Sequence, residues 1–139
     1  MDRNTAFTDG ELFGVPCEAG AVIDAGHVVC VNAAGFAIAG APAADNTVIG
    51  VSDDVADNTG GAQGACLVMV RRNKAFALDN DTAAPVTQAL VGKDCYLLDS
   101  HTVTSTDNTK ANPVAGKVLA VSPEDGVLVL IGYGKINDY

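Results

Sequence analysis

The chain is written as short apolar runs set between turns. Val28-Val29-Cys30-Val31 is a β-branched run that stops at the turn Asn32-Ala33-Ala34-Gly35, and Phe36-Ala37-Ile38 resumes with period-2 alternation. That order predicts a hairpin. Residues 40–46 form a loop in this reading, and residues 47–51 the next strand. Residues 52–64 are a polar, glycine-rich excursion holding Asp53-Asp54, Asp57-Asn58 and Gly60-Gly61. Residues 66–71 are strongly β, and Ala75-Phe76-Ala77-Leu78 alternates as far as a turn at Asp79-Asn80-Asp81. One turn of helix fits residues 85–90; elsewhere no stripe has the helical period.

The rest of the chain repeats this rhythm. Cys95-Tyr96-Leu97-Leu98 predicts a strand, Asp99-Ser100-His101 a turn, and residues 102–105 a further alternating segment. After a polar loop over 106–113, residues 114–121 form a long strand interrupted at Gly116-Lys117. Pro123-Glu124-Asp125-Gly126 is a turn, and Val127-Leu128-Val129-Leu130-Ile131 is the most apolar run of all. Gly26 and Gly92, Asn46 and Asn112, Val48 and Val114, and Gly50 and Gly116 are identical residues, each pair 66 apart (92 − 26, and likewise for the others). The order of elements suggests two pseudo-repeats, about 21–74 and 86–132. The expectation is an all-β fold: a compact β-sandwich or barrel built from two similar β-units. An irregular N-terminal arm (1–20) precedes a single β domain (21–132), and a C-terminal tail (133–139) follows it.

Composition sharpens this. The chain has 139 residues, the size of one domain, and is 48% hydrophobic, enough for a core. Its apolar residues are mostly small: 22 Ala and 18 Val against 4 Phe, 3 Tyr and no Trp. Ligand pockets favour aromatic walls, so this make-up argues against a small-molecule enzyme. A net charge of −9 argues against nucleic acid and anionic membranes as partners. No run approaches the roughly 18 apolar residues of a membrane span, and residues 1–5 lack a signal-peptide start, so a soluble protein made in a cytoplasm is expected.

Candidate chemistry is sparse. Cys17, Cys30, Cys66 and Cys95 form no CxxC and no zinc-ligand spacing, and read as reduced thiols serving as small hydrophobes. His27 and His101 are isolated in the sequence and are not expected to act as bases. Gly60-Gly61-Ala62-Gln63-Gly64 lacks the GK[ST] ending of a phosphate loop and leads into a strand. Asp79-Asn80-Asp81-Thr82 spaces carboxylates as a calcium loop does, without its Gly and distal Glu, and reads as an ordinary turn. The acidic loop Asp53, Asp54, Asp57 reads as solvated surface. No nucleophile–base signature occurs, so no catalytic residue, cofactor or metal is expected.

Two regions stand out as partner contacts. Arg71-Arg72-Asn73-Lys74 concentrates three of the eight basic residues, which suits an acidic partner surface. The two ends carry apolar residues outside any sustained period: Phe7, Leu12 and Phe13 at one, Tyr133, Ile136 and Tyr139 at the other. Such residues suit segments that order on a neighbour.

The runs Ala25-Gly26-His27-Val28-Val29, Asn46-Thr47-Val48-Ile49-Gly50-Val51-Ser52 and Gly64-Ala65-Cys66-Leu67-Val68-Met69-Val70 resemble the core of tailed-bacteriophage capsid decoration (cement) proteins, across roughly residues 18–131. The resemblance implies a structural protein on the outer surface of a phage head, assembled in the host bacterial cytoplasm and often a homotrimer, that clamps major capsid subunits after shell expansion. The alternative is another virion β-module: a head-fibre base, a tail component or a carbohydrate-binding domain.

Overall fold

A computed structural model describes residues 1–6 and 10–132. Phe7, Tyr133, Ile136 and Tyr139 lie outside the described residues. Among the described residues twelve strands run in chain order: β1 (Leu12–Pro16), β2 (Val22–Ile23), β3 (Val28–Val31), β4 (Ala37–Ala39), β5 (Thr47–Ser52), β6 (Ala56–Asp57), β7 (Leu67–Arg71), β8 (Lys74–Asn80), β9 (Asp94–Leu97), β10 (Thr102–Thr104), β11 (Val114–Ser122) and β12 (Gly126–Ile131). A single 3₁₀ turn, Gln88–Leu90, falls where one turn of helix was expected.

The strands make two units with one topology. The first is a sheet in the order β1-β7-β5-β3-β4, and the second is a closed barrel, β8-β12-β11-β9-β10. Read side by side, β3 corresponds to β9, β4 to β10, β5 to β11, β7 to β12 and β1 to β8. The local bonding agrees at a spacing of 66 residues. Gly26 N donates to Ser52 O (3.0 Å), and Gly92 N to Val118 O (2.8 Å). Ser52 N donates to His27 O and Val118 N to Lys93 O, both at 2.9 Å. His27 N donates to Asp24 O (3.3 Å) and Lys93 N to Leu90 O (2.9 Å).

Both units also carry a β-bulge at the same place, each ending on a glycine. Between β3 and β5 the register shifts so that Ile49 is the extra residue before Gly50; between β9 and β11, Ala115 is the extra residue before Gly116. A Cβ on Gly50 would lie 2.5 Å from Arg71 O, and one on Gly116 2.2 Å from Leu130 O. The two shared glycines exist because a neighbouring strand passes where a side chain would start.

The units differ in closure. β8 and β10 pair in parallel at Asp79–Thr102 and Asn80–Val103. Their counterparts β1 and β4 touch only through one parallel bridge, Cys17–Ala37. The first unit is therefore an incompletely closed version of the second.

Packing explains why β3 is apolar without alternation. Val28 and Cys30 belong to a cluster that fills the second unit with Leu97, Val103, Val118, Val127, Val129 and Ile131. Val29, between them, faces a separate cluster with Cys17, Ile23, Ala37, Val68 and Val70. A strand buried on both faces is apolar at every position. β12 has one buried face, and its Val127, Val129 and Ile131 alternate with half-buried neighbours.

Three expectations need correcting. The segment 1–20 is not irregular throughout, because β1 joins the sheet by pairing with β7 from Leu12–Arg71 to Pro16–Leu67. The excursion over 52–64 contains β6, which pairs with β2. The turn expected at Asp79-Asn80-Asp81 starts later, since β8 runs through Asn80. The Asn80 side chain makes this workable: its Nδ2 donates to Val86 O (2.9 Å) while its Oδ1 accepts from Val86 N (2.8 Å).

Candidate partner-contact surface

The junction between the two units, Arg72-Asn73, gathers most of the expected contact residues. Asn73 adopts φ 63°, a left-handed conformation that Asn tolerates, and turns the chain from β7 into β8. The two consecutive amides there reach opposite ends of the body: Arg72 N donates to Glu11 O (3.0 Å) and Asn73 N to Ile131 O (2.6 Å). Gly10 and Gly132, which adjoin segments 7–9 and 133–139, thus lie at one pole.

The basic residues at this pole are engaged within the chain. Arg71 Nε donates to Asp53 Oδ1 at 2.9 Å. Arg72 Nε donates to Gly10 O at 2.7 Å, and its guanidinium lies 5.1 Å from the centre of the Phe13 ring. Lys74 Nζ stands 3.9 Å from Glu11 Oε1, with both side chains well exposed. Arg72 and Lys74 act first as clasps holding β1 against β7 and β8. Phe13 turns inward onto the first unit's core, whereas Leu12 faces outward and is half-buried.

The outer face of β1 and β7 carries an apolar strip that the sequence pattern alone does not single out. Leu12, Gly14 and Pro16 stand opposite Arg71, Met69 and Leu67. Leu67 is 60% exposed and Met69 39%. Gly14, between them, leaves their side chains uncovered: a Cβ there would only touch Leu67 Cδ1 and Met69 Sδ, each at 3.6 Å. The signal was present in the alternation of Leu67-Val68-Met69-Val70, but four apolar residues in succession do not say which face is dry.

The two histidines, 74 residues apart (101 − 27), meet edge to face with ring centres 5.7 Å apart. His27 Nδ1 pairs with Ser100 Oγ at 2.7 Å. Asp79 and Asp99 attend His101, at 2.9 Å from Nδ1 and 3.6 Å from Nε2. The carboxylates thus serve the wrong ring for a Ser–His–acid relay. Among the described residues no cluster of His, Cys, Asp or Glu is arranged to hold a metal ion.

Two further acidic groups, Asp57 and Asp81, are engaged by nearby amides and hydroxyls. Asp57 caps Thr59, whose hydroxyl and amide hold its carboxyl below the usual range. Asp81 accepts from the amides of Ala83 and Ala84 and from Thr104 Oγ1, which lowers its pKa as well. The glycine loop is a turn wrapped on buried Asn58, whose Nδ2 donates to Glu18 O and Ala62 O.

A polar cleft of about 380 Å³ lies where the starts of β5 and β11 meet, lined by Asn46, Tyr96, Asp107, Lys110 and Asn112. Its rim is the loop Asn108-Thr109-Lys110, three consecutive residues at positive φ (48°, 55° and 68°). Asn112 braces it through Nδ2 to Thr106 O and N to Asp107 O.

Comparison of the chain with protein-family models, with curated proteins and with solved structures gave no match in any of the three.

Proposed function

We propose that the protein is a structural decoration protein that binds the outer surface of a phage head, as a homotrimer, and braces contacts between major capsid subunits without catalysing a reaction. The observation that carries this reading is the pole at Arg72-Asn73. There an edge strand, a basic cluster, Gly10 and Gly132 come together on a rigid β scaffold, and an exposed apolar strip (Leu67, Met69) runs away from them along β7. Such a surface suits adhesion: β1 is an edge that another extended segment can extend, and the strip supplies apolar area beside it. An interface of roughly 1,600 Å² in total is ordinary for specific binding, and symmetry on a shell multiplies modest single contacts by avidity.

The test is direct mixing. Purified protein added to expanded, undecorated capsids is expected to bind saturably, and Leu67→Asp with Met69→Asp to weaken binding while leaving the fold intact. Absence of saturable binding overturns the proposal.

The polar cleft favours a second reading, a saccharide-binding virion module. Tyr96 offers an aromatic wall, and the Asn46, Asp107 and Asn112 oxygens offer acceptors for hydroxyl groups. Binding to a glycan array that is lost in Tyr96→Ala, with no binding to capsids, favours this module over the decoration role.

A further inference from the structure

We propose that Cys17 and Cys66 form a cross-link site: a small-molecule disulfide such as oxidised glutathione converts them to an intrachain disulfide that pins the end of β1 to the start of β7. The inference stands apart from the decoration reading and holds whatever the chain binds.

The geometry comes from register. β1 and β7 pair antiparallel down to Pro16–Leu67, and one step further places Cys17 opposite Cys66. The chains still meet there: Cys17 N donates to Cys66 O at 2.8 Å, while Cys17 O accepts from Gly64 N at 2.8 Å. Residues directly opposite in an antiparallel pair project to the same face, with Cα atoms about 4.5–5.5 Å apart. That spacing falls inside the roughly 4.4–6.8 Å range that a disulfide spans. Both side chains pack in one cluster with Ala37 and Val68. Burial, with the Cys66 thiol beside it, pushes the Cys17 thiol above its ordinary pKa. Cys30 and Cys95 belong to the other cluster and have no such neighbour across a ladder.

Exposure sets the order of events. Cys66 is partly exposed and Cys17 fully buried. Cys66 gives its proton to solvent, and its thiolate attacks one sulfur of the external disulfide. The external S–S bond breaks and one small thiolate leaves, taking up a proton. Cys17, deprotonated in turn, attacks Cys66 Sγ; the mixed S–S bond breaks and the second small thiolate leaves. Two protein thiols are oxidised and one external disulfide is reduced to two thiols. The raised pKa of Cys17 makes this second step the slow one and speeds it in mild alkali.

The placement gives the bond a consequence. Cys17 is also the residue whose bridge to Ala37 is the sole pairing between β1 and β4. A covalent link at Cys17 fixes the end of the edge strand where closure is weakest.

The test uses the full chain incubated with oxidised glutathione at about pH 8, where the thiolate fraction is appreciable. Intact mass under non-reducing conditions is expected to fall by two hydrogen atoms, and peptide mapping to join residues 17 and 66. The thermal midpoint is expected to rise and to return on reduction. Cys66→Ser is expected to abolish the link, and Cys95→Ser to keep it. A glutathione adduct that persists on Cys66, a link involving Cys30 or Cys95, or no reaction overturns the proposal; an oxidised form whose midpoint does not rise overturns the pinning of β1.

Discussion

Buried thiols and capping carboxylates give this protein opposite sensitivities at the two ends of the pH scale. Burial pushes the Cys30 thiol up to about 11, from an ordinary value of 9.0. It pushes Cys95 to about 12, with the neighbouring Asp94 charge adding to the effect. The folded chain therefore holds these protons more tightly than the unfolded one. The stability they contribute is complete below about pH 9 and is lost as pH rises towards 11 and 12. Asp57 and Asp81 behave in reverse: hydrogen bonds lower their pKa from 3.8, so their contribution is present above that value and is lost as pH falls through the lowered one. Urea midpoints measured across pH should show a plateau from about 4 to 9 with a fall on each side. Replacing Cys95 with Ala should make the alkaline fall shallower. A midpoint that keeps rising above pH 9 would contradict the burial argument.

At the level of elements, the strands that sequence made legible are those with a local signature. Val28–Val31 and the Val/Leu run of β12 are dense in β-branched or apolar residues and are bounded by turns, and they appear within a residue of expectation. β1 was illegible because Leu12-Phe13-Gly14-Val15-Pro16 contains the two residues that weaken strands. It survives at a sheet edge, where Pro16 is tolerated, through the Arg72 and Lys74 clasps. β2 and β6 hold two residues each and exist only through each other. The basic residues Arg71, Arg72 and Lys74 were legible as a cluster, but their partners within the chain were not, because Glu11, Gly10 and Asp53 are distant in sequence. The exposed faces of Leu67 and Met69 were hidden for the reason that β7 carries apolar residues on both sides. Gly50 and Gly116 were visible as identities, yet the bulges that require them come from strand pairing across each unit. Gly116→Ala should therefore cost about 1–3 kcal/mol, read as a lower urea midpoint with the β circular-dichroism signature retained. A neutral substitution would mean that the facing carbonyl of Leu130 yields freely.

On the scale of the whole molecule, the amides of Arg72 and Asn73 hold Glu11 and Ile131 side by side, so the two ends of the segment 10–132 are neighbours. That segment is in effect a ring cut at one point. Joining Gly132 to Gly10 through a short Gly/Ser linker and opening the polypeptide at the exposed Gly60 should give a circular permutant with the same β signature. Its thermal midpoint should lie within a few degrees of the parent. Failure of that permutant to fold would show that the order in which the two units emerge from synthesis matters, and not only the map of their pairings. Success would offer a scaffold whose Arg72-Asn73 pole is sealed while a new pair of ends projects from another loop, ready to display a cargo.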